Sequence, residues 1–248
     1  MQTISIMNHK GGTGKTTSSI NIGAGLAKKG FKVLLVDIDS QANLTEGLGI
    51  VDPEISVYDS IRENKALPIL NISENLDLVP SSIDLLGAEM EIVSKIGREQ
   101  IINKLLKPVR ENYDYIIIDC PPSVGLLTVN AMVASDTILL PLQGEYFAYK
   151  GVDRLLGIVQ EVRDNLNEKL EIGGVFITQI NPNRILTKTI VEKLTEDLKD
   201  KVFETKIRIN VALAEAQLQG QSIFDYAPDS NGAKDYELLV DEILSKLN

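Results

Sequence analysis

The chain has 248 residues, of which 44% are hydrophobic and 24% charged, and its formal net charge at pH 7 is −10. This size and composition predict a single globular domain over residues 1–248. With only one cysteine, Cys120, and one histidine, His9, the chain has neither an internal disulfide nor a metal site built from Cys or His ligands. The acidic balance argues against a generally basic surface for nucleic acid.

Short apolar runs alternate with helical periodicity along the chain. The predicted strands are Thr3–Met7, Lys32–Val36, Leu76–Val79, Tyr115–Ile118, Thr137–Leu140 and, last, Ile172–Thr178. The predicted helices are Lys15–Lys29, Val57–Asn64, Gly151–Leu166, Thr187–Leu198 and Tyr236–Leu247. Continuously apolar strands separated by helices predict an α/β fold, with a mostly parallel twisted sheet covered by helices on both faces.

Membrane association is not expected. No apolar run approaches the ~20 residues that span a bilayer, and the N-terminus lacks the pattern of a secretory signal. The predicted last helix carries Glu237, Asp241 and Glu242 against Lys246, so anionic lipid would repel it. We therefore expect a cytoplasmic protein.

A glycine-rich segment, KGGTGKTT, joins the first predicted strand to the first predicted helix. Its second half matches the general phosphate loop, although His9 stands at the position of the first glycine. Such a loop aims backbone N–H groups at phosphates, while Lys15 offers a charge to the β- and γ-phosphates and Thr16 a hydroxyl to Mg²⁺. The sequence thus predicts that ATP and Mg²⁺ bind here. The predicted nucleotide contacts are Lys10, Gly11, Gly12, Thr13, Gly14, Lys15, Thr16 and Thr17.

Several segments resemble one family, the ParA/Soj/MinD group of P-loop NTPases with a deviant Walker-A loop. The segments are Lys10–Thr17, Val36–Asn43, Tyr115–Ser123 and Leu139–Gln143, and the resemblance extends over nearly the whole chain. Ser40 stands where the family has a proline. The strings are most similar to the ParA/Soj branch, which segregates plasmids and chromosomes.

The resemblance implies roles for three side chains besides Lys15. Lys10 resembles the signature lysine that reaches across an ATP-sandwich dimer, and Asp39 the residue that positions the attacking water. Asp119 resembles the carboxylate beside magnesium, and Asp37, at the end of the second predicted strand, joins Thr16 and Asp119 in the predicted metal set. The simpler alternatives are a solvated loop lysine for Lys10 and a turn-forming aspartate for Asp39.

Adenine contacts are predicted at Asn181, which follows a strand, and at Asn210, which matches the asparagine of the family's I-P-R-N segment. Here that segment reads Ile-Arg-Ile-Asn over residues 207–210, so the family's DNA-binding arginine is replaced. Residues 184–208 nevertheless hold seven basic and five acidic side chains. The candidate DNA contacts are Arg184, Lys188, Lys206 and Arg208. An ordinary solvated helix with paired charges is the alternative.

The resemblance implies an ATPase that dimerises with ATP and binds DNA non-specifically. A ParB-like adaptor on the cargo would stimulate hydrolysis, and the protein would be associated with the nucleoid if it binds DNA. Two alternatives stay open: a related ATPase that positions another cargo, such as a division complex, and an ATP-dependent biosynthetic enzyme.

Overall fold

The computed structural model describes residues 1–144, 146–181, 192 and 195–247, with backbone alone for 146–153. Within these ranges, one sheet of eight strands has the order β3-β4-β2-β5-β1-β6-β7-β8. The strands are β1 (Gln2–Ile6), β2 (Val33–Asp37), β3 (Leu70–Ser73), β4 (Leu76–Val79), β5 (Tyr115–Asp119), β6 (Thr137–Gln143), β7 (Glu171–Ile180) and β8 (Val202–Arg208). Only β3 runs antiparallel to its neighbour among these strands, so the predicted mostly parallel sheet is confirmed.

Helices cover both faces of the sheet. The described helices are α1 (Lys15–Lys28), α2 (Asn43–Gly47), α3 (Val57–Glu63), α4 (Leu85–Ile92), α5 (Ile101–Leu106), α6 (Leu126–Ala134), α7 (Tyr146–Asn165), α8 (Val211–Leu218), α9 (Ile223–Tyr226) and α10 (Asn231–Leu247). Helices α3 to α7 pack on one face and α1, α2 and α8 to α10 on the other, giving two separate apolar clusters. Within the described ranges, no helix is long and apolar enough to cross a membrane.

Strand β5 shows why the sheet is buried on both sides. All five of its residues are buried. Ile116 and Ile118 enter one cluster, while Tyr115 and Ile117 enter the other. Each fully buried Ile contributes roughly 1.5–3 kcal/mol of apolar burial, so a central strand needs an unbroken apolar run.

The two edge strands were not predicted. Strand β8 follows the segment expected to be the last strand, and exposed Glu204 interrupts its apolar residues. Strand β3 alternates half-buried and exposed residues. An edge strand is covered less completely and needs fewer apolar residues, which is why these runs are weak in the sequence. The predicted helix Thr187–Leu198 lies largely outside the described residues.

The parallel register brings the functional motifs to one edge. Asp37, at the end of β2, pairs with Asp119, at the end of β5, and Asp119 also pairs with Ile6 at the end of β1. Carboxyl ends of parallel strands are where α/β sheets bind ligands. The glycine-rich segment leaves β1 at this same edge.

Candidate nucleotide-binding site

The loop between β1 and α1 has the backbone conformation of a phosphate cradle. Gly12 (φ 72°) and Gly14 (φ 84°) are in the left-handed region that favours glycine. Gly14 forms the N-cap of α1 without a side-chain cap, so the helix start keeps N–H groups for a ligand. A Cβ built on Gly11 or Gly12 meets no atom within 4 Å, so the loop faces open space.

That open space is a cavity of about 860 Å³, within the ordinary range for small-molecule sites. The loop forms one wall, the β2–α2 segment a second and α8 a third. The cavity is lined by Gly11, Gly12, Gly14, Lys15, Thr16, Thr17, Asp39, Gln41, Asn43, Glu46, Gly47, Val51, Pro122, Gln179, Ala214, Gln217 and Leu218. Several of the predicted phosphate contacts therefore meet Asp39 around one space.

The two loop lysines differ in their surroundings. The Lys15 side chain is buried, and its Nζ donates to the Lys10 carbonyl at 3.3 Å. Burial lowers the Lys15 pKa, with the Asp119 charge acting in the opposite direction. An anion in the cavity would offset this desolvation. The half-buried Lys10 directs its Nζ to Gln143 Oε1 at 3.3 Å.

Thr16 and Asp119 form a pair suited to a hydrated magnesium ion. Thr16 Oγ1 donates to Asp119 Oδ2 at 2.7 Å, so the lone pairs of the hydroxyl stay available to a cation. Ser19 Oγ donates to the other carboxylate oxygen at 2.8 Å. Burial raises the Asp119 pKa, and these two hydrogen bonds act against it. The residues present therefore fit Mg²⁺, with Thr16 as a ligand and Asp119 behind it.

The Asp37 carboxylate is bound within the chain. Its Oδ1 accepts the Asp39 N–H at 3.1 Å, and its Oδ2 accepts the Thr45 N–H at 3.0 Å and the Thr45 hydroxyl at 2.7 Å. These bonds hold the segment between β2 and α2 in place. The role of Asp37 beside magnesium stays a prediction.

Asp39 lines the cavity opposite the loop and also stabilises a turn. Its Oδ1 accepts the Gln41 N–H at 3.0 Å, and its carbonyl accepts the Ser81 hydroxyl at 2.8 Å. The turn-forming contact that we weighed as an alternative is thus present. It fixes the carboxylate at the cavity wall, so the two roles are compatible.

Three side chains that the sequence did not single out hold the loop from the ends of β6 and β7. Thr178 Oγ1 donates to the Thr13 carbonyl at 2.8 Å. Gln143 Nε2 and Gln179 Nε2 donate to the Gly12 carbonyl at 2.8 and 2.7 Å. The available signal was positional: each residue lies at or near the carboxyl end of β6, which pairs with β1, or of β7, which pairs with β6.

Asn210, predicted to contact adenine, caps a helix. Its Oδ1 accepts the Ala212 N–H at 2.9 Å at the start of α8. It is not among the described residues that line the cavity, and its contact with adenine stays a prediction. Asn181 directly follows β7 and is half-buried.

Of the four candidate DNA contacts, Arg208 has an internal partner. Its guanidinium donates to both carboxylate oxygens of buried Asp235, at 2.6 Å from Nη2 and 3.0 Å from Nε. This pairing commits Nε and Nη2 to Asp235 and offsets the guanidinium charge that would attract a phosphate, which argues against a DNA role for Arg208. Lys206 is half-buried on β8, whereas Arg184 and Lys188 lie outside the described residues.

The site lies at the edge of a parallel sheet and combines a glycine loop before a helix, a buried lysine and a hydroxyl–carboxylate pair. These features define a P-loop nucleotide-binding protein. An AAA domain family matches residues 1–172. The chain is 46% identical to the sporulation initiation inhibitor protein Soj of Bacillus subtilis, covering 97% of each chain. It is 43% identical to the chromosome-partitioning ATPase Soj of Treponema pallidum, covering 99% of this chain and 98% of that one.

Solved structures share the fold. A cobyrinic acid a,c-diamide synthase from Mycobacterium smegmatis with bound ADP and magnesium has a TM-score of 0.87 and 29% identity, covering 98% of this chain and 94% of that one. A plasmid partition protein from Borrelia burgdorferi has a TM-score of 0.78 and 30% identity, covering 99% and 98%. The chain therefore belongs to the AAA domain family and, within it, to the Soj/ParA ATPases. As a member it is an ATPase, with ATP and Mg²⁺ as its cofactors.

Proposed function

We propose that this ATPase is a nucleotide-controlled switch that segregates plasmid or chromosomal DNA. The proposal rests on the 43% sequence identity to the chromosome-partitioning ATPase Soj of Treponema pallidum over 99% of this chain, combined with Lys10 at the front of the loop. In this proposal ATP joins two subunits, the dimer holds DNA, and hydrolysis returns it to monomers.

ATP binding rests on the phosphate loop. Lys15 and the start of α1 would hold the phosphates, and Thr16 would ligate Mg²⁺ with its hydroxyl oriented by Asp119. Magnesium, when bound, neutralises charge that develops on the phosphate oxygens. Asp39 lies across the cavity from the loop, where its carboxylate orients the attacking water. Positioning supplies most of the catalysis in phosphoryl transfer, which is why a fixed Asp39 matters.

Dimerisation rests on the exposed front of the loop. Gly11 and Gly12 are exposed, and Lys10 precedes them. A second subunit that approaches this face brings its own Lys10 within reach of the bound phosphates. The ATP γ-phosphate then contributes to the interface, so the dimer depends on ATP.

DNA binding rests on the local excess of basic residues at 184–208 within a chain of net charge −10. With Arg208 paired to Asp235, the contacts we retain are Lys206, Arg184 and Lys188. A few lysine and arginine contacts give weak, salt-sensitive binding that ignores sequence, and a dimer doubles them. Such a protein would work on the nucleoid in the cytoplasm, with a ParB-like adaptor on the cargo that stimulates hydrolysis.

Two alternatives share the nucleotide chemistry. The cobyrinic acid a,c-diamide synthase matches the fold at 29% identity, whereas the Soj relatives reach 43–46%, so sequence favours partition over synthesis. An ATPase that positions a cargo other than DNA uses the same switch without DNA affinity.

Retention of DNA by an Asp39→Ala variant tests this proposal. The variant keeps the loop and loses the group that orients water, so it accumulates as an ATP-bound dimer. Two unrelated duplexes should be retained equally at low salt and released at moderate salt. No retention of either duplex at low salt would favour the alternative with another cargo and leave the ATPase assignment intact.

A further inference from the structure

Two glutamine side chains converge on one carbonyl of the phosphate loop. Gln143 Nε2 and Gln179 Nε2 both donate to the Gly12 carbonyl, at 2.8 and 2.7 Å. Gln143 Nε2 also donates to Gln179 Oε1 at 3.1 Å, which joins the two amides. A carbonyl with two donors cannot turn freely, so this pair fixes the loop next to Lys10.

An unusual backbone conformation brings Gln179 to the loop. Successive side chains of a strand point to opposite faces, yet Thr178 and Gln179 both donate to loop carbonyls. Gln179 has φ 53°, in the left-handed region, and this turns its side chain to the same side as Thr178. Such conformations in residues other than glycine are uncommon and cluster at functional sites.

Only one of the two glutamines has a described contact with the signature lysine. Lys10 Nζ donates to Gln143 Oε1 at 3.3 Å. The hydrogen bonds described for the Gln179 side chain go to Gly12 and Gln143. The Gln143 amide therefore makes two kinds of contact: its nitrogen donates to the Gly12 carbonyl of the loop, and its oxygen accepts from Lys10.

We infer that Gln143 is a positioning residue that holds Lys10 on its own chain and thereby sets how readily two ATP-bound subunits dimerise. The inference rests on the role of Lys10 given under Proposed function. A neutral amide holds an ammonium group less strongly than a phosphate does, because only the phosphate adds the attraction of a full negative charge. The γ-phosphate of a second subunit can thus take Lys10 from Gln143, whereas the amide retains it when ATP is absent.

Two isosteric variants separate this role from loop support. Gln143→Glu and Gln179→Glu each remove one donor from the Gly12 carbonyl and each add a charge, but only Gln143→Glu places a carboxylate on Lys10. Gln143→Met removes the acceptor that residue 143 offers to Lys10. Dimer formation is measured by sedimentation with a slowly hydrolysed ATP analogue and Mg²⁺. In nucleotide-free monomers, the rate of acylation of the Lys10 amine is measured by mass spectrometry.

We expect Gln143→Glu to raise the dimer dissociation constant about 3- to 10-fold above that of Gln179→Glu, a ratio in the range of one exposed or half-buried ion pair. Lys10 acylation should slow in Gln143→Glu, change little in Gln179→Glu and accelerate in Gln143→Met. Equal dimer constants for the two Glu variants, or Lys10 acylation unchanged by all three substitutions, would overturn the inference.

Failure of the proposed function gives a different result. A wild-type protein that stays monomeric with the ATP analogue overturns the dimer switch, and with it the control by Gln143. In that case, the rate of Lys10 acylation in the monomers still shows whether Gln143 holds Lys10. Dimerisation of the wild type together with identical behaviour of both Glu variants overturns the role of Gln143 alone.

Discussion

The Thr16 hydroxyl donates a hydrogen bond to Asp119 Oδ2 at 2.7 Å, which joins the start of α1 to the end of β5. Ser19, one turn further along α1, donates to the other oxygen of the same carboxylate. The two hydroxyls share one partner, but of the two only Thr16 lines the cavity. Substitutions of Thr16 and of Ser19 therefore separate the effect of metal binding from that of packing.

Thr16→Val should lower Mg²⁺-dependent ATP hydrolysis by at least about 10-fold, because the cation loses a ligand while the side chain keeps its shape. Ser19→Ala is the matched control. It should cost about 1–2 kcal/mol in the free energy of unfolding, as for a lost buried hydrogen bond, and keep the Mg²⁺ dependence. Hydrolysis at graded Mg²⁺ and urea unfolding measure both effects. The same Mg²⁺ profile in the two variants would contradict the assignment of Thr16.

Lys15→Met should abolish measurable ATP binding without destabilising the nucleotide-free protein. The ammonium group is buried, and burial lowers its pKa more than the nearby Asp119 charge raises it, so the apo protein bears a desolvated group that an anionic ligand compensates. Methionine keeps the apolar stem. Equilibrium binding of labelled ATP and thermal unfolding without nucleotide are the measurements. Near-normal ATP affinity would remove the P-loop assignment, and a clearly lower Tm would show that Lys15 stabilises the apo fold.

Arg208→Ala should destabilise the protein and leave DNA affinity unchanged. Asp235 is buried and accepts the Arg208 guanidinium, so the variant leaves a buried carboxylate without its charge partner. Because the Arg208 side chain is 38% exposed, the expected loss is about 1–2 kcal/mol of unfolding free energy. Lys206→Gln should show the opposite behaviour, with weaker binding to all duplexes and little change in stability. A fall in DNA affinity for folded Arg208→Ala would restore Arg208 to the DNA surface.

The centre of this fold could be predicted because its signals are local. Strands such as β5 are buried on both faces and give unbroken apolar runs, and the glycine loop lies directly between β1 and α1. The edge strands β3 and β8 were missed because partial exposure leaves mixed sequences. Among the strands, the outcome thus followed burial: the covered strands were recognised, and the half-covered edge strands were not.

Contacts between distant segments could not be predicted from local patterns. The oxygens of Asp37 accept hydrogen bonds from the Thr45 hydroxyl and two backbone N–H groups, and no local pattern indicated these partners. Gln143 and Gln179 meet the loop only because β6 lies beside β1 and β7 beside β6, an arrangement that no single segment specifies. Residue type and strand position located the site, whereas the partner of each side chain required the fold.

The central claim is an ATP-dependent dimer that requires Lys10, and light scattering with a slowly hydrolysed ATP analogue and Mg²⁺ tests it most directly. Wild type should double its mass with the analogue and stay monomeric with ADP. Lys10→Ala should remain monomeric while its nucleotide affinity stays within about threefold of wild type, because Lys15 and the loop backbone remain. Dimerisation of Lys10→Ala like wild type, or a wild type that remains monomeric with the analogue, would contradict the account.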